Sequence, residues 1–438
     1  MKAFRAVAVL CLGLLPVFAY ADTPTLSSTE KTIADYISAR SDEQLRLLER
    51  LVNINSGTQN VEGVRQVGEG LRPEFESIGF KTHWVELPPD MQRAGMLVAE
   101  RDGTRGQRLL LIGHLDTVFP KDSPFGRFER RGNVATGPGV IDDKGGIVVL
   151  LYALKALNAA QVLDEAQITI ALTGDEENSG KPTSISRKPL IALAKNSDVV
   201  LDFEPTIPGH ASTGRRGVAH WLITTTGNEG HSSIIFSKGV GYGAVFEMAR
   251  ILDRMNNGLR GEHGLTLNPG IILGGTQVDY DRIRGRGDSF GRTNIVAGTA
   301  IAHGDLRYLS NAQREQARQK LAEITSRNLP GTSASLEFTE VLPPMPTSAE
   351  STGLFDRYSA ISERLGYGKV ELLPAERRGG GDISFIAPYI SAGLVGIGAN
   401  GTGEHSPQES LEVDSLVKQA QRAALLMHEL LQPRERAN

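Results

Sequence analysis

The chain has 438 residues, of which 40% are apolar and 22% are charged, a composition typical of an ordinary globular protein with two or three domains. Its formal net charge is −4 and its isoelectric point is near 6.2, so bulk charge gives no attraction to nucleic acid or to anionic membrane. We therefore expect neither nucleic acid nor a membrane surface as a partner of the mature protein.

Residues 1–21 have the three-part pattern of a secretory signal peptide. Lys2 and Arg5 precede the apolar run AVAVLCLGLLPVFA, and the small-x-small motif AYA ends at Ala21, just before Asp22. The run is too short for a stable membrane span, although a retained anchor is the alternative interpretation. The sequence thus predicts a secreted or periplasmic protein.

The only cysteine, Cys11, lies inside this predicted signal peptide, so the mature chain would contain none. A chain without cysteine has no disulfide, no thiol nucleophile and no cysteine–zinc site. Any metal ion must then be bound by histidine and carboxylate side chains.

The first half of the mature chain has the pattern of an α/β domain. Residues 28–51 have helical apolar spacing, and the runs RLLLIG, ITIAL and VVLDF each predict a strand that ends in a polar cluster. The helical sequence GGIVVLLYALKALNAA lies between the first two strands. Such alternation predicts a largely parallel sheet, in which ligands bind at the carboxyl ends of the strands.

The pattern changes near Thr213. The runs GVAHWLITTTG, NPGIILGG, AGTAIAHGDLRY and SASLEFTEV predict strands, and residues 238–257 and 311–328 predict helices. Their order, β-α-β-β-α-β, predicts a small ferredoxin-like domain.

After the Pro-rich linker VLPPMPTS the α/β pattern resumes, and it ends in an amphipathic helix at about 411–432. We therefore predict one α/β domain in two parts, residues 22–213 and 343–438. The small domain, residues 214–342, is inserted between them.

Several polar motifs follow the predicted strands. GHLDTVFP places His114 and Asp116 two residues apart, hence on one face of the extended chain. Asp116 can then accept a hydrogen bond from the second ring nitrogen and fix the imidazole, as carboxylates do behind zinc ligands. A buried histidine with a satisfied hydrogen bond is the alternative interpretation.

Two further motifs contain neighbouring acids. GPGVIDDKGG places Asp142 and Asp143 at a helix start, where a helix N-cap is the alternative interpretation. In LTGDEENSG, Glu176 and Glu177 point in opposite directions if the segment is extended, so one can face a metal and the other the water bound there. For Asp175 we keep the alternative, an acidic turn residue without assigned chemistry.

DFEP adds Glu204 at another strand end, and GEHSPQE adds His405 in a Gly-rich loop. Each residue by itself is compatible with a structural role. Together, two histidines and several carboxylates at the strand ends of one sheet indicate a metal centre.

The motifs GHLDTV, GPGVIDDKGG, TGDEEN, DFEP, EGHSS, TNIV and EHSPQE occur in order over nearly the whole mature chain. This set resembles the di-zinc aminoacylase/carboxypeptidase family of metallopeptidases, and most closely its periplasmic glutamate carboxypeptidase branch. The resemblance implies a zinc-peptidase α/β domain with an inserted lid or dimerisation domain, and a homodimer. It also implies hydrolysis of the amide bond to a C-terminal amino acid in a small peptide or N-acyl amino acid.

The resemblance further implies roles for the motif residues. The implied ligands of two zinc ions per chain are His114 and Glu204 on the first ion, Glu177 and His405 on the second, and Asp142 bridging both. Asp116 would support His114, and a cis peptide would follow Asp142. Glu176 would be the general base that takes a proton from the attacking water and passes it to the leaving nitrogen. Cobalt or manganese can occupy the same nitrogen and oxygen ligands.

The resemblance also implies contacts to the substrate. His231 in EGHSS would stabilise the oxyanion, often across a dimer interface in the family, and Asn294 and Arg307 match lid positions. A turn histidine and a solvated arginine are the alternative interpretations of His231 and Arg307. Folate-cleaving relatives carry an arginine before proline after the lid, but EVLPPMPT has none. Arg377 and Arg378 are the expected substitutes, and a preference for glutamate stays open.

Two other functions compete with this prediction, since a third, a structural dimerisation module, would explain the small domain but not the two histidines and the acids. The first is an aminoacylase or dipeptidase with a different amino-acid preference. The second is a secreted binding protein that kept the fold and lost catalysis. A degenerate protein should lack the base or a ligand, and this chain has all of them.

Overall fold

The computed structural model describes residues 25–282 and 284–433. The predicted signal peptide at 1–21 lies outside the described residues. Within those two ranges, no helix combines the length and the apolar character needed to cross a membrane.

The secondary structure of the described ranges alternates between helices and strands over most of the chain. The helices are α1 (Ser28–Ser38), α2 (Ser41–Val52), α3 (Val61–Glu76), α4 (Lys144–Ala159), α5 (Thr183–Ser186), α6 (Lys188–Ala194), α7 (Gly243–Leu259), α8 (Asn311–Ser326), α9 (Ala349–Arg364), α10 (Ile383–Ile386) and α11 (Val413–Leu430). The strands are β1 (Lys81–Val85), β2 (Met96–Arg101), β3 (Arg105–His114), β4 (Glu129–Arg131), β5 (Val134–Thr136), β6 (Ala166–Thr173), β7 (Val199–Asp202), β8 (His210–Ala211), β9 (Gly217–Gly227), β10 (Thr266–Gly275), β11 (Gln277–Asp281), β12 (Arg286–Phe290), β13 (Thr299–Tyr308), β14 (Thr332–Leu342), β15 (Glu371–Leu372), β16 (Ala392–Val395), β17 (Gly401–Thr402) and β18 (Ser410–Glu412).

The large domain is built on a six-stranded sheet of order β1-β2-β6-β3-β7-β16. The pairs β6–β3, β3–β7 and β7–β16 are parallel, whereas β1–β2 and β2–β6 are antiparallel. The apolar runs RLLLIG, ITIAL and VVLDF fall in or next to the three central strands. The predicted α/β fold with a mostly parallel sheet is confirmed, and its antiparallel strands lie together at one edge.

Helix α4 is the centre of the main apolar core. Its residues from Lys144 to Leu154 are all buried, because α4 contacts the helices α1, α2 and α11 as well as β3. A helix that is apolar on every side is stable only in such a position. The packing therefore fixes the start of α4, and with it the loop that carries Asp142.

The small domain contains a four-stranded antiparallel sheet of order β10-β13-β9-β14, with α7 and α8 packed on it. Its separate apolar core includes Trp221, Met248 and Leu321, all of which are fully buried. The elements follow the order β-α-β-β-α-β, and the hairpin β11–β12 is an addition that the sequence analysis did not predict. The role of this domain as a lid or dimerisation unit, and the domain boundaries, stay predictions.

Helix α7 begins later than the predicted start at residue 238. Gly241 and Gly243 adopt positive φ angles of 73° and 74°, which a right-handed helix does not contain. The chain between the second glycine and β9 is therefore a loop, and it includes His231.

Candidate metal centre

The carboxyl ends of β3, β6 and β7 meet at one edge of the central sheet. His114 is the last residue of β3 and pairs with Thr173, the last residue of β6. Glu176 follows β6 by three residues, and Glu204 follows β7 by two. Because parallel neighbouring strands end at the same edge, these polar side chains converge there.

Two further loops reach this edge from outside the sheet. Asp142 lies in the loop before α4, and His405 lies between β17 and β18. The carboxylate of Glu409 joins the two loops, since it accepts hydrogen bonds from the backbone N–H groups of Gly139, Ile141 and Asp142 at 3.0, 2.9 and 3.2 Å. The peptide bond between Asp142 and Asp143 is cis, as the resemblance implied.

The five predicted ligands form two groups that share Asp142. In the first group, His114 Nε2 lies 2.9 Å from Asp142 Oδ1 and 3.4 Å from Glu204 Oε1. In the second, His405 Nε2 lies 3.1 Å from both Asp142 Oδ2 and Glu177 Oε2. Asp142 thus presents one carboxylate oxygen to each group, which is the arrangement that a bridging ligand requires.

The donor chemistry of both groups fits a divalent metal ion. Imidazole nitrogen and carboxylate oxygen are ligands that suit zinc, and each group combines the two. Glu177 Oε1 is buried and has no hydrogen-bond partner among the described residues. A buried carboxylate oxygen without a partner is costly, and a bound cation would remove that cost.

The electrostatics of the site also favour a cation. Burial, together with the charge of Asp142, raises the pKa of Glu204 to about 8, although Arg215 opposes this shift. Burial also raises the pKa of Glu177. A bound cation reverses such shifts, because it stabilises the ionised carboxylates and binding then releases protons.

Asp116 connects His114 to the turn after β6. Its two carboxylate oxygens accept hydrogen bonds from the backbone N–H groups of Glu176 and Glu177, at 3.1 and 3.2 Å, and from the Thr58 hydroxyl at 2.6 Å. His114 Nδ1 therefore donates to the carbonyl oxygen of Asp116, at 3.0 Å, whereas the carboxylate lies 3.4 Å away. Either contact leaves Nε2 free to bind a metal.

Glu176 lines the cleft above the ligands but belongs to neither ligand group. Burial, followed by the charge of Glu204, holds the pKa of Glu176 well above its usual range. A carboxyl group that can hold a proton near neutral pH is suited to general acid–base chemistry.

The cleft has a volume of about 420 Å³ and contains three arginines. Arg307 comes from β13 of the small domain, and Arg377 ends a 3-10 turn at Ala375–Arg377. The third, Arg215, was missed in the sequence analysis. Its Nη2 lies 3.1 Å from Glu204 Oε2. The sequence feature that could have identified Arg215 is the doubled arginine of TGRRG, which lies at the predicted domain boundary. A residue at such a boundary can face a cleft between the domains.

Three predicted substrate contacts are not brought to this cleft. His231 and Asn294 are exposed neighbours in the small domain, and the described lining of the cleft includes neither. His231 Nδ1 lies 2.7 Å from the hydroxyl of Ser233. The guanidinium of Arg378 donates instead to the Leu373 carbonyl and the Thr347 hydroxyl, which turns it away.

Asp175 is not the acidic surface turn residue that the sequence suggested. Its side chain is buried, and Arg187 Nη1 donates to its carboxylate at 2.7 Å. The arginine lies twelve residues further along the chain, so local sequence gave no signal for this pair.

Residues 110–429 match the family model described as "Peptidase family M20/M25/M40". Carboxypeptidase G2 of Pseudomonas sp. (strain RS-16) is 30% identical over 409 residues, which cover 90% of this chain and 91% of that protein.

Solved structures share the fold. A tripeptidase from Staphylococcus aureus has a TM-score of 0.68 at 18% identity, over 89% of this chain and 98% of that chain. A dinuclear metal-binding M20 peptidase from Bacillus subtilis has a TM-score of 0.61 at 16% identity, over 90% and 99% of the two chains.

Proposed function

The chain belongs to peptidase family M20/M25/M40 and is a metal-dependent hydrolase, and from this premise we propose that it releases the C-terminal amino acid from a small peptide or N-acyl amino acid. The observation that carries the proposal is the pair of ligand groups that share Asp142 in a cleft also lined by arginines. The similarity to carboxypeptidase G2 over most of both chains supports attack at the C-terminal side.

We propose zinc as the metal, with two ions per chain. His114 and Glu204 would hold one ion, Glu177 and His405 the other, and Asp142 both. When bound, the metal supplies a water molecule of lowered pKa, about 7, and polarises the substrate carbonyl.

The chain's own residues would move the proton and hold the substrate. Glu176 would accept the proton of the attacking water and deliver it to the leaving nitrogen. Arg307 and Arg377 would bind the carboxylate of the C-terminal residue, because a guanidinium can donate two hydrogen bonds to one carboxylate. His231 would stabilise the oxyanion from the small domain.

The substrate proposal is tested with N-benzoyl derivatives of glutamate, aspartate, leucine and glycine, together with the corresponding dipeptides. We expect cleavage of at least one series and the highest kcat/KM for an acidic C-terminal residue, because three arginines line the cleft. A preference for leucine would favour an aminoacylase or dipeptidase of different specificity. Absence of any cleavage by zinc-loaded protein would overturn the proposed function.

The metal proposal is tested by elemental analysis and by chelation. We expect about two zinc ions per chain, loss of activity with a chelator and recovery on addition of Zn²⁺. Recovery with Co²⁺ or Mn²⁺ alone would reassign the metal, and a native protein without metal would contradict the proposal.

We also propose a homodimer formed through the small domain. Ile234, Phe236, Val245 and Phe246 are exposed there, and the rings of Phe236 and Phe246 lie 5.8 Å apart. Exposed apolar clusters of this kind are typical of protein–protein interfaces. Light scattering of the wild type should give a dimer, and Phe246→Glu should shift it toward the monomer. A monomeric wild type at micromolar concentration would contradict this.

Export is the remaining part of the proposal. Residues 1–21 would direct the chain across a membrane and be removed, leaving a mature N-terminus at Asp22. N-terminal sequencing of protein from the periplasm and the culture medium tests this, and an intact Met1 would contradict it.

A further inference from the structure

Arg187 is a buried cation that belongs to neither ligand group. It is 1% exposed and lies between two buried carboxylates. Its Nε donates to Asp382 Oδ1 at 2.6 Å, and its Nη1 donates to Asp175 Oδ1 at 2.7 Å. The second oxygen of Asp382 accepts from the hydroxyl of Thr173, at the end of β6. Arg187 is therefore fixed to the sheet edge that carries the metal centre.

One peptide group of the turn after β6 is held at both ends. Arg187 Nη2 donates to the carbonyl oxygen of Asp175 at 2.8 Å. The N–H of the same peptide group, on Glu176, donates to Asp116 Oδ1 at 3.1 Å. Because buried side chains hold both polar ends of this group, its plane cannot rotate freely. The direction in which Glu176 leaves the backbone is thereby fixed.

Stability alone is a poor explanation for this cluster. Buried ion pairs and triads are often replaced by apolar side chains with little or no loss of stability. An apolar side chain at position 187, however, could not donate to the Asp175 carbonyl. The planar guanidinium donates in a fixed geometry to four oxygens: one carboxylate oxygen each of Asp382 and Asp175, the Asp175 carbonyl, and the hydroxyl of Ser179.

We propose that Arg187 is a positioning residue, which holds Glu176 through the carbonyl oxygen and carboxylate of Asp175. The chemical consequence rests on the proposed function, because Glu176 must be the base for its position to affect turnover. The structural consequence is independent of the proposed function, because it concerns only the conformation of the turn at 172–180.

The structural consequence is tested by amide hydrogen exchange in the full-length protein. Arg364→Met is the matched control, because Arg364 also bridges two carboxylates, those of Glu30 and Glu429, at 2.7 and 2.6 Å. We expect Arg187→Met to speed exchange at 172–180 at least about tenfold more than the control does. Equal exchange at 172–180 in both variants would overturn the proposal. If Arg187→Met does not fold, Arg187→Lys, which keeps the charge but loses the planar fork, takes its place.

The chemical consequence is tested by a double-mutant cycle on kcat, with the N-benzoyl amino acid that the wild type hydrolyses fastest. Arg187→Lys should lower kcat at least about tenfold, because small misplacements of a catalytic group are costly, and KM should change little. In a Glu176→Gln background the same substitution should have almost no effect. If Arg187→Lys lowers kcat by the same factor in the wild-type and Glu176→Gln backgrounds, Arg187 has a general structural role and the proposal is overturned.

The same cycle separates failure of this proposal from failure of the proposed function. If Glu176→Gln alone keeps wild-type turnover, the assignment of the base is wrong. Hydrogen exchange at 172–180 then still decides whether Arg187 holds the turn, because that measurement does not depend on activity.

Discussion

The two domains differ in how they present their candidate functional residues. In the large domain, His114 and Asp142 are buried and each is held by contacts from separate segments of the chain. In the small domain, His231 and Asn294 are exposed: the His231 ring contacts the hydroxyl of Ser233 two residues along the same loop, and the backbone oxygen of Asn294 accepts from the N–H of Ser232. The proposed ligands thus all lie in the large domain, whereas the small domain contributes Arg307 and the boundary residue Arg215 to the described lining of the cleft.

This difference indicates that the large domain carries the catalytic chemistry and that the small domain contributes to substrate binding. Substitutions at the sheet edge should change turnover or metal affinity, and substitutions in the small domain should change substrate binding. His231 is the exception, because a role in catalysis requires it to act on a cleft other than the one in its own chain, or to move. The predictions below test this division, in order of expected effect.

The largest effect is expected for Glu176→Gln. The amide keeps the size of the side chain but cannot accept the proton, so kcat should fall by about 10²–10⁴-fold, the usual range for general acid–base catalysis. The zinc content should stay unchanged, because Glu176 belongs to neither ligand group. Elemental analysis beside single-turnover kinetics measures both quantities, and near-normal turnover would remove Glu176 from the mechanism.

His231→Ala tests whether the exposed region contributes to catalysis. Loss of one oxyanion donor usually costs about 10²–10³-fold in kcat. Because His231 lies outside the described cleft lining, we expect it to act across the dimer. A mixture of His231→Ala and Glu176→Gln chains should then regain about one quarter of wild-type activity, since half of the dimers are mixed and each has one complete site.

The mixture has an internal control. If His231 acts in its own chain after a domain movement, no mixed dimer contains a complete site and the activity stays at the level of the separate variants. An unchanged kcat in His231→Ala alone would support the alternative of a turn histidine.

Asp116→Asn should have a smaller effect, on metal affinity. The amide replaces one oxygen acceptor with a donor, which opposes the N–H groups of Glu176 and Glu177. Asp116→Asn keeps the backbone carbonyl that His114 Nδ1 contacts but weakens the hold on Glu177, a proposed ligand, and loss of such an outer hydrogen bond typically costs about 10–100-fold in metal affinity. Competition with a zinc chelator measures this affinity. Thr58→Val is the matched control, because it removes one hydrogen bond to Asp116 and leaves the carboxylate in place.

Most of the fold and the ligand set could be predicted because both depend on local patterns. The apolar runs define the strands, and the parallel order alone brings His114, Glu177 and Glu204 to one edge of the sheet. The position of His405 followed from the motif resemblance, and the structure adds the cause, which is the pairing of β18 with β5 next to the Asp142 loop.

The contacts that could not be predicted are those between segments far apart in the sequence. Asp175 looked like a surface acid because its partner Arg187 lies twelve residues away, and Asp382, the other carboxylate that Arg187 contacts, lies 207 residues from Asp175. Arg215 was missed because its contact with Glu204 depends on how the two domains meet. Such long-range pairs follow no periodicity and no fixed spacing, so they cannot be predicted from a single sequence.

The smallest effect is expected for Arg307→Ala, and it tests the division between domains most directly. A hydrogen bond to a charged group contributes about 1.5–3 kcal/mol, and Arg307 is partly exposed and already contacts Asp305, so KM should rise by about tenfold, the low end of this range. The value of kcat should change little, because the arginine contacts no ligand of the metal in the described structure. Arg282→Ala is the matched control: it removes another arginine of the small domain that has one carboxylate partner, Glu337, and lies outside the cleft. An equal rise of KM in both variants would point to a general loss of positive charge. A fall in kcat for Arg307→Ala alone would show that the small domain contributes to the chemical step, which contradicts the proposed separation of the two domains' roles.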